Sequence, residues 1–388
     1  MKFSPRYTFD GTLQLEDRIR SDLAAIRKAV LAEIPAGKIT ALILGGGYGR
    51  GEGGVFEEDG REIPFNDYDL FVVVPDTSRK QRNALHAHLT EIGERLGKDM
   101  GVDVDFSRPI LESNLPRLGP ELMWIEMKQG HRVFHGPLDV LAPMPAFLPG
   151  DLPGLEGTRL LLNRGVGLLL CRRALVRTGG DPEGADLDFC VRNIRKAEMA
   201  MGDVILQVLD RYVVKYRARS SLLEAVEDAS IPELKKIQDR YRGAIDFKLR
   251  PVLVPLPGLT LEAWLEETVA LFEKIQLWFE GHRLGVDDLT WEEYGNMDLR
   301  ADIRGGLAAR MKNVYHNLSA FGPNIRKDMN RLFRHPRESL LKVLPALLHE
   351  TDQERVTRQL RHRLLAPVGE DMETVFTRRF LPVWSRYN

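Results

Sequence analysis

Apolar and polar positions follow different rhythms in the two parts of this chain of 388 residues. Before about residue 140, short apolar runs of strand length alternate with stretches in which apolar residues recur at helical spacing. This pattern predicts a sheet with helices packed against it. The predicted strands are 39–45, 67–74, 101–107 and 131–136, and the predicted helices are 14–34, 79–100 and 120–129.

Beyond residue 154 the apolar spacing is helical almost throughout. The stretch 141–154, LAPMPAFLPGDLPG, is dense in proline and glycine, which predicts a linker. We therefore predict an α+β protein with an N-terminal domain, 1–140, built on a mixed sheet flanked by helices, and a mostly α-helical domain, 155–388. The helices predicted for the second domain are 155–178, 186–217, 219–244, 260–283 and several between 299 and 386, with an extended break at 251–258.

Composition and charge exclude several classes of protein. The formal net charge is -1 at pH 7, so no global field points to nucleic acid or a membrane surface. Two cysteines make no disulfide framework and fit a reducing cytoplasm. The chain starts without the apolar core of a signal peptide, and its longest apolar run, 160–171, is too short and too polar to span a bilayer. We therefore expect a cytoplasmic protein that does not enter a membrane.

Charge is unevenly distributed along the chain. Residues 300–388 carry 17 Lys or Arg against 9 Asp or Glu. Such an excess fits the solvated faces of a helical domain, and it also fits a surface for a polyanion such as RNA. The sequence leaves both interpretations open.

Four aspartates follow a glycine-rich loop in the N-terminal part. The loop, LILGGGYGRGEGG at 42–54, comes directly after a predicted strand. Asp67 and Asp69 are two residues apart on the next strand, so both project from one face, and Asp103 and Asp105 repeat the arrangement. Neighbouring carboxylates repel one another unless cations lie among them, and Mg²⁺ commonly bridges carboxylates to phosphates. Because the N–H groups of glycine loops bind phosphate oxygens, the combination predicts two-metal phosphoryl or nucleotidyl transfer.

The order of these features resembles the DNA polymerase β-like nucleotidyltransferase superfamily, over roughly residues 20–140. The similarity is greatest to the branch of kanamycin nucleotidyltransferase and the minimal nucleotidyltransferases, whose members carry a loop of the type GSYARGEA before a D-x-D strand. This chain has GGYGRGEG at 46–53. It differs in having Gly47 where the serine is usual, and in a longer spacing from Gly47 to Asp67, where the extra residues 55–65 are expected to form a hairpin over the site.

The resemblance implies a role for individual residues. Asp67 and Asp69 would hold the metals. Asp105 would be the third carboxylate, which activates the attacking group, and Asp103 is its rival for that role. The residues expected at the nucleotide are Gly46 and Gly47 at the triphosphate, Arg50 at the triphosphate or as a brace of the loop, Glu52 as a partner of Arg50, and Lys196 as a base toward the triphosphate unless it is simply solvated.

The implied activity is transfer of a nucleoside monophosphate from an NTP to an acceptor hydroxyl, with release of pyrophosphate. The expected cofactor is a pair of Mg²⁺ ions, with Mn²⁺ as an alternative, and the expected nucleotide is ATP. The acceptor stays open between a small molecule, an RNA and a protein, and the helical domain would bind it. The alternative function is a catalytically silent nucleotide-binding regulator or antitoxin-like module. The oligomeric state also stays open.

Overall fold

The computed structural model describes residues 6–301, 306–349, 353–366 and 370–387, and the chain divides into two compact units. The first unit contains three stretches of chain, Met1–Pro153, Asp210–Leu222 and Arg242–Val252, and the second unit contains the rest. The stretch predicted as a linker belongs to the first unit, because Leu141 and Met144 are buried in its core. Two later segments, which the predicted domain 1–140 does not include, also belong to this unit.

A mixed sheet forms the centre of the first unit, as predicted. Its strand order is β5-β4-β1-β7, and β6 also pairs with β4. Strand β1 is antiparallel to both β4 and β7, whereas β5 and β6 are parallel to β4. A separate hairpin pairs β2 with β3. The strands are β1 Ala41–Leu44, β2 Val55–Glu58, β3 Arg61–Pro64, β4 Asp67–Val74, β5 Asp103–Phe106, β6 Ile110–Leu111 and β7 Arg132–His135.

Helices account for most of the remaining described chain, and the part after residue 153 is mostly helical, as predicted. Among the described residues, no helix is both long and apolar enough to cross a membrane. The helices are α1 Leu13–Glu33, α2 Gly46–Arg50, α3 Arg79–Met100, α4 Leu122–Gln129, α5 Gly154–Arg177, α6 Gly184–Val208, α7 Tyr216–Glu224, α8 Leu234–Leu249, α9 Leu261–Leu284, α10 Trp291–Asn296, α11 Leu307–Phe321, α12 Met329–Leu332, α13 Arg337–His349, α14 Gln353–Leu364, α15 Met372–Val375 and α16 Leu381–Tyr387.

The sheet buries both of its faces. Alternate residues of a strand point to opposite faces. On β4, Leu70 and Val72 therefore join the core that α1 and α3 cover, whereas Phe71 and Val73 join a second core with Met127 of α4. This alternation fixes the face on which the β4 aspartates lie, because Asp67 and Asp69 have the parity of Phe71 and Val73.

The insertion between the glycine loop and β4 is a β-hairpin, as expected. Its turn is Asp59-Gly60, and both residues have positive φ values, of 50° and 72°. Such a pair is typical of the tight turn that joins twisted antiparallel strands. Glu62 of the hairpin accepts hydrogen bonds from the backbone N–H of Thr12 and from Arg250 (2.8 Å), which anchors it within the first unit.

Two predicted helices differ from the observed ones. The predicted helix 186–217 is wrong beyond residue 208, where α6 ends and an irregular segment begins that contains Asp210 at φ 54°. The predicted helix 219–244 is interrupted between α7 and α8. Pro232 lies in this interruption, and proline cannot donate the hydrogen bond that a helix interior needs.

The second unit is a helical assembly built around α5, α6 and α9, which pack on one another, with α13 against α5 and α9. Cys171 and Cys190 lie buried within it, as free thiols. Its core includes the apolar side chains of Val166, Trp264 and Phe272, and the carboxylates of Glu198 and Glu280 are also buried.

Candidate active site

Two pairs of aspartates lie side by side on the parallel strands β4 and β5. In the register of this pairing, Asp67 is opposite Asp103 and Asp69 is opposite Asp105. Residues in register on paired strands share a face, and the intervening Tyr68 points into the core. All four carboxylates therefore belong to one face of the sheet, as the two-residue spacing predicts.

Three of these carboxylates influence one another electrostatically. Burial, followed by the negative charges of Asp67 and Asp105, raises the pKa of Asp69 to about 6 against the opposing effects of Lys248 and Arg50. The pKa of Asp105 is also raised, because its carboxyl group is partly surrounded by protein and because Asp67 is close. A cation placed among these carboxylates would stabilise them, because it would offset their mutual repulsion.

The structure distinguishes Asp105 from Asp103. Asp105 contributes to the raised pKa of Asp69, and Asp67 contributes to the raised pKa of Asp105. Asp103 and Asp105 are both exposed, but Asp103 acts on Asp105 only as the weakest of the influences on that group. Asp67, Asp69 and Asp105 therefore form the interacting set, and Asp103 lies at its edge.

The donor set suits a hard divalent cation, because Mg²⁺ takes carboxylate oxygens as ligands. In the part of the chain that the structure describes, no three His, Cys, Asp or Glu side chains are already arranged to hold a metal ion. The chemistry of the three carboxylates and the raised pKa of Asp69 nevertheless fit the charge of such an ion.

The glycine loop passes directly against Asp69. The backbone N–H of Gly45 donates to the Asp69 carbonyl oxygen at 2.8 Å, which continues the pairing of β1 with β4. Gly46 has φ +56°, and a Cβ atom placed on it would lie 1.8 Å from Oδ2 of Asp69. Only glycine fits there, because the carboxylate occupies the space of a side chain.

The same packing gives a local reason for Gly47. A Cβ atom on Gly47 would lie 3.0 Å from the backbone carbonyl oxygen of Glu52. A serine at this position would therefore be crowded by main chain, which moves less easily than a flexible side chain. The departure from the usual serine thus matches the tight path of the loop from Gly47 to Glu52, whose N–H donates back to the Gly47 carbonyl at 2.8 Å.

Arg50 braces the loop from inside the protein. Its side chain is 2% exposed, and Nη1 donates to Oε2 of Glu126 at 3.1 Å. Nη2 donates to the Tyr216 hydroxyl at 2.6 Å, and the guanidinium also lies over the Tyr216 ring. Burial alone would lower the pKa of Arg50, but the Glu126 carboxylate, together with Tyr216 and Tyr212, outweighs burial and the pKa is raised. Two roles were considered for Arg50, contact with the triphosphate and bracing of the loop, and these contacts fit the bracing role.

Glu52 is buried and binds a helix terminus instead of pairing with Arg50. Its carboxylate accepts hydrogen bonds from the backbone N–H groups of Tyr216 at 2.9 Å and of Arg217 at 3.4 Å. These groups belong to the first turn of α7, where backbone N–H groups lack partners within the helix and where negative charge is favourable. Lys215 donates to the Arg50 carbonyl oxygen. The loop is therefore tied to the start of α7 at several points.

Sequence reasoning missed the residues that support the loop from the segment Asp210–Leu222. Tyr212 donates to Oε1 of Glu126 at 2.8 Å, and Arg219 donates to the Tyr212 hydroxyl at 2.9 Å. Glu126 thus accepts hydrogen bonds from both the loop and the later segment. Burial would raise the pKa of Glu126, but the positive charges of Arg50 and, to a smaller extent, Arg219 hold this pKa below its usual range. The aromatic and basic composition of DRYVVKYRAR, 210–219, is the one signal in the sequence that could have suggested that this segment supports the loop.

The lysine that acts on the carboxylates is Lys248 of α8, which the sequence did not single out. It lowers the pKa of Asp69. Lys196, the lysine predicted for the triphosphate, lies on α6 in the second unit, so it is not among the groups that the first unit assembles around Asp69.

A groove of about 870 Å³ runs beside the carboxylates within the first unit. The residues that line it include Asp67, Asp103 and Asp105 of the sheet and Glu94 and Lys98 of α3. A volume of this size has room for a nucleotide or an acceptor of similar size.

Comparison with known proteins does not assign this chain to a family. No protein-family model matches it, and neither a curated protein nor a solved structure resembles it significantly. The function must therefore be argued from the chemistry of the site.

Proposed function

We propose that the first unit is a divalent-metal-dependent nucleotidyltransferase of the DNA polymerase β-like kind, which transfers a nucleoside monophosphate from an NTP to an acceptor hydroxyl. The observation that carries the proposal is the register of β4 with β5, which sets Asp67, Asp69 and Asp105 on one face, where the pKa values of Asp69 and Asp105 are raised. The glycine loop against Asp69 supports it, because a bare backbone beside carboxylates lets a phosphate chain approach both.

In this proposal Asp67 and Asp69 hold Mg²⁺ or Mn²⁺, with Asp105 completing the set. The ions would neutralise the charge of the triphosphate and of the in-line transition state. The acceptor oxygen attacks the α-phosphorus, the bond to the β-phosphate bridging oxygen breaks, and pyrophosphate leaves. Asp105 takes the proton of the acceptor hydroxyl, a role that its raised pKa suits.

The other residues position the substrates. The backbone at Gly46 and Gly47 faces the triphosphate, while Arg50 and Glu52 act indirectly by fixing the loop. Lys248 supplies the positive charge for which Lys196 was expected, since it already acts on Asp69. We expect ATP as the nucleotide and a cytoplasmic small molecule, RNA or protein as the acceptor.

The test is transfer of label from each α-³²P-labelled NTP, with Mg²⁺ or Mn²⁺, to cell RNA, cell protein or a small-molecule extract supplied separately. Asp67→Asn and Asp69→Asn should abolish transfer, as should chelation of the ions by EDTA. Asp105→Asn should slow it by about 10²–10⁴-fold, the usual contribution of a general base. Asp103→Asn should slow it far less, and Asp139→Asn, an exposed position of the same unit, should not change it.

The outcomes separate the proposal from its alternative. Label in one fraction that disappears in Asp69→Asn establishes the transferase and names the class of acceptor. Transfer that persists in Asp67→Asn contradicts the proposal. Retention of NTP with no transfer to any fraction would identify a silent nucleotide-binding regulator. Binding to RNA that weakens steeply with salt would assign the basic C-terminal helices to the acceptor.

A further inference from the structure

A cavity of about 580 Å³ lies within the second unit, where α9, α10, α13 and α14 meet. Its size is in the range of small-molecule binding sites. Every residue that lines it belongs to the second unit, so it is not part of the carboxylate site on β4 and β5. The lining side chains that carry the argument are Glu273, Trp291, Lys342, His349, Arg358 and Arg363.

One wall of the cavity is a flat aromatic surface. The rings of Trp291 and His349 are nearly parallel, at an interplanar angle of 10° and a centroid distance of 5.7 Å. The indole Nε1 of Trp291 donates to Oε1 of Glu273 at 2.8 Å, which fixes the ring in place. Burial lowers the pKa of His349 to about 4, so the imidazole is uncharged at neutral pH. Such a stacked pair offers planar ligands a surface to stack upon.

Cationic side chains also line the cavity. Lys342 is bonded to Glu338 at 2.8 Å, so its charge is largely compensated. Arg363 donates to the neutral carbonyl oxygen of Gly295 at 2.6 Å, and the nearby carboxylates of Glu338 and Asp328 offset only part of its charge. Arg358 lines the cavity from an exposed position on α14. The pKa of the adjacent His362 is lowered by burial and then by Arg363, as expected in a region of positive potential.

We propose that this cavity binds a small aromatic anion, a flat ring that carries a phosphate or a carboxylate group. The ring stacks on Trp291, and the anionic group pairs with the guanidinium groups of Arg358 and Arg363, whose planar forks match both phosphate and carboxylate geometry. The site is independent of the proposed nucleotidyl transfer and needs no metal.

The test uses the full-length protein and three simple probes: phenyl phosphate, benzoate and the neutral benzyl alcohol. Affinities come from calorimetry and from ligand-observed NMR, which also shows whether the ring protons are in contact with protein. We expect at least one anion to bind about tenfold or more tightly than benzyl alcohol. The tighter of phenyl phosphate and benzoate then identifies the group that the natural ligand carries.

Variants locate the binding. Arg358→Gln should weaken the anion about tenfold or more, and Trp291→Leu should remove the ring contact. Arg310→Gln is the matched control, because it removes the same charge from an exposed position on α11 outside the cavity, and it should leave binding unchanged. Asp69→Asn should also bind normally, since it alters only the first unit.

Three results would overturn the proposal. The first is equal affinity for the anions and benzyl alcohol, or no binding at all. The second is an Arg358→Gln variant that behaves like Arg310→Gln while its thermal unfolding is unchanged. The third is loss of binding in Asp69→Asn, which would show that the probe binds at the carboxylate site.

Discussion

The raised pKa of Asp69 makes a quantitative prediction about stability. Folding moves this pKa from an ordinary 3.8 to about 6, because the carboxyl group is buried beside Asp67. The folded state therefore binds the proton more tightly than the unfolded state does. Stability is highest below about pH 4 as far as this group is concerned, and it falls as the pH rises through the interval from 3.8 to about 6.

The size of the effect follows from the shift. Each unit of pKa corresponds to about 1.36 kcal/mol, so the ionised Asp69 destabilises the folded state by at most about 3 kcal/mol at neutral pH. Because the residue is partly exposed, we expect about 1–3 kcal/mol. Asp69→Asn removes the charge with almost no change of shape. It should therefore increase the free energy of unfolding of the first unit by that amount at pH 7.5 and by almost nothing at pH 4.

Hydrogen exchange of the β1 and β4 backbone amides, read by mass spectrometry across this pH range, reports on the first unit alone. Asp139→Asn serves as the control, since it removes one exposed carboxylate from the same unit. Added Mg²⁺ should protect these amides in the wild type and much less in Asp69→Asn. The reasoning would be refuted if Asp69→Asn increased the free energy of unfolding equally at pH 4 and pH 7.5, or by no more than Asp139→Asn does.

Two further predictions concern the loop. Gly46→Ala should destabilise the first unit by about 2–4 kcal/mol, because the added methyl group would collide with Asp69. Gly60 also has a positive φ but has open space around it, so Gly60→Ala should destabilise the unit only by the backbone cost of about 1–2 kcal/mol. Equal losses of stability in urea denaturation would show that the close approach of Gly46 to Asp69 is absent. Arg50→Met should cost about 2–4 kcal/mol by removing the closest cationic partner of Glu126, and much less in a Glu126→Gln background, so additive effects of the two changes would contradict the ion pair.

The sequence predicted the parts of the site that depend on local spacing. Asp67 and Asp69 share a face because strand side chains alternate, and no tertiary information was needed to see this. The choice between Asp103 and Asp105 was different. It required the register of two strands that are separated in the chain by the helix α3, and local spacing does not give that register.

The partners of the loop could not be predicted from local patterns. Arg50 is bonded to residues that lie 76 and 166 positions further along the chain. Tyr212 and Tyr216 are four residues apart, which is also the spacing of a helix face, so periodicity carried the predicted helix straight through the segment that supports the loop. For the same reason the sequence did not single out Lys248, since helical lysines look alike until it is known that the segment Arg242–Val252 belongs to the first unit.

The discontinuous composition of the first unit has a consequence for synthesis on the ribosome. The glycine loop and all four aspartates are made before residue 110, but Tyr216 and Lys248 follow more than a hundred residues later. A nascent chain that stops at Pro153 would expose Arg50 and Glu126 without their aromatic cover and Asp69 without its nearby lysine. The first unit should therefore mature late, and a gene fragment cut at Pro153 should yield an aggregating product and not a folded unit.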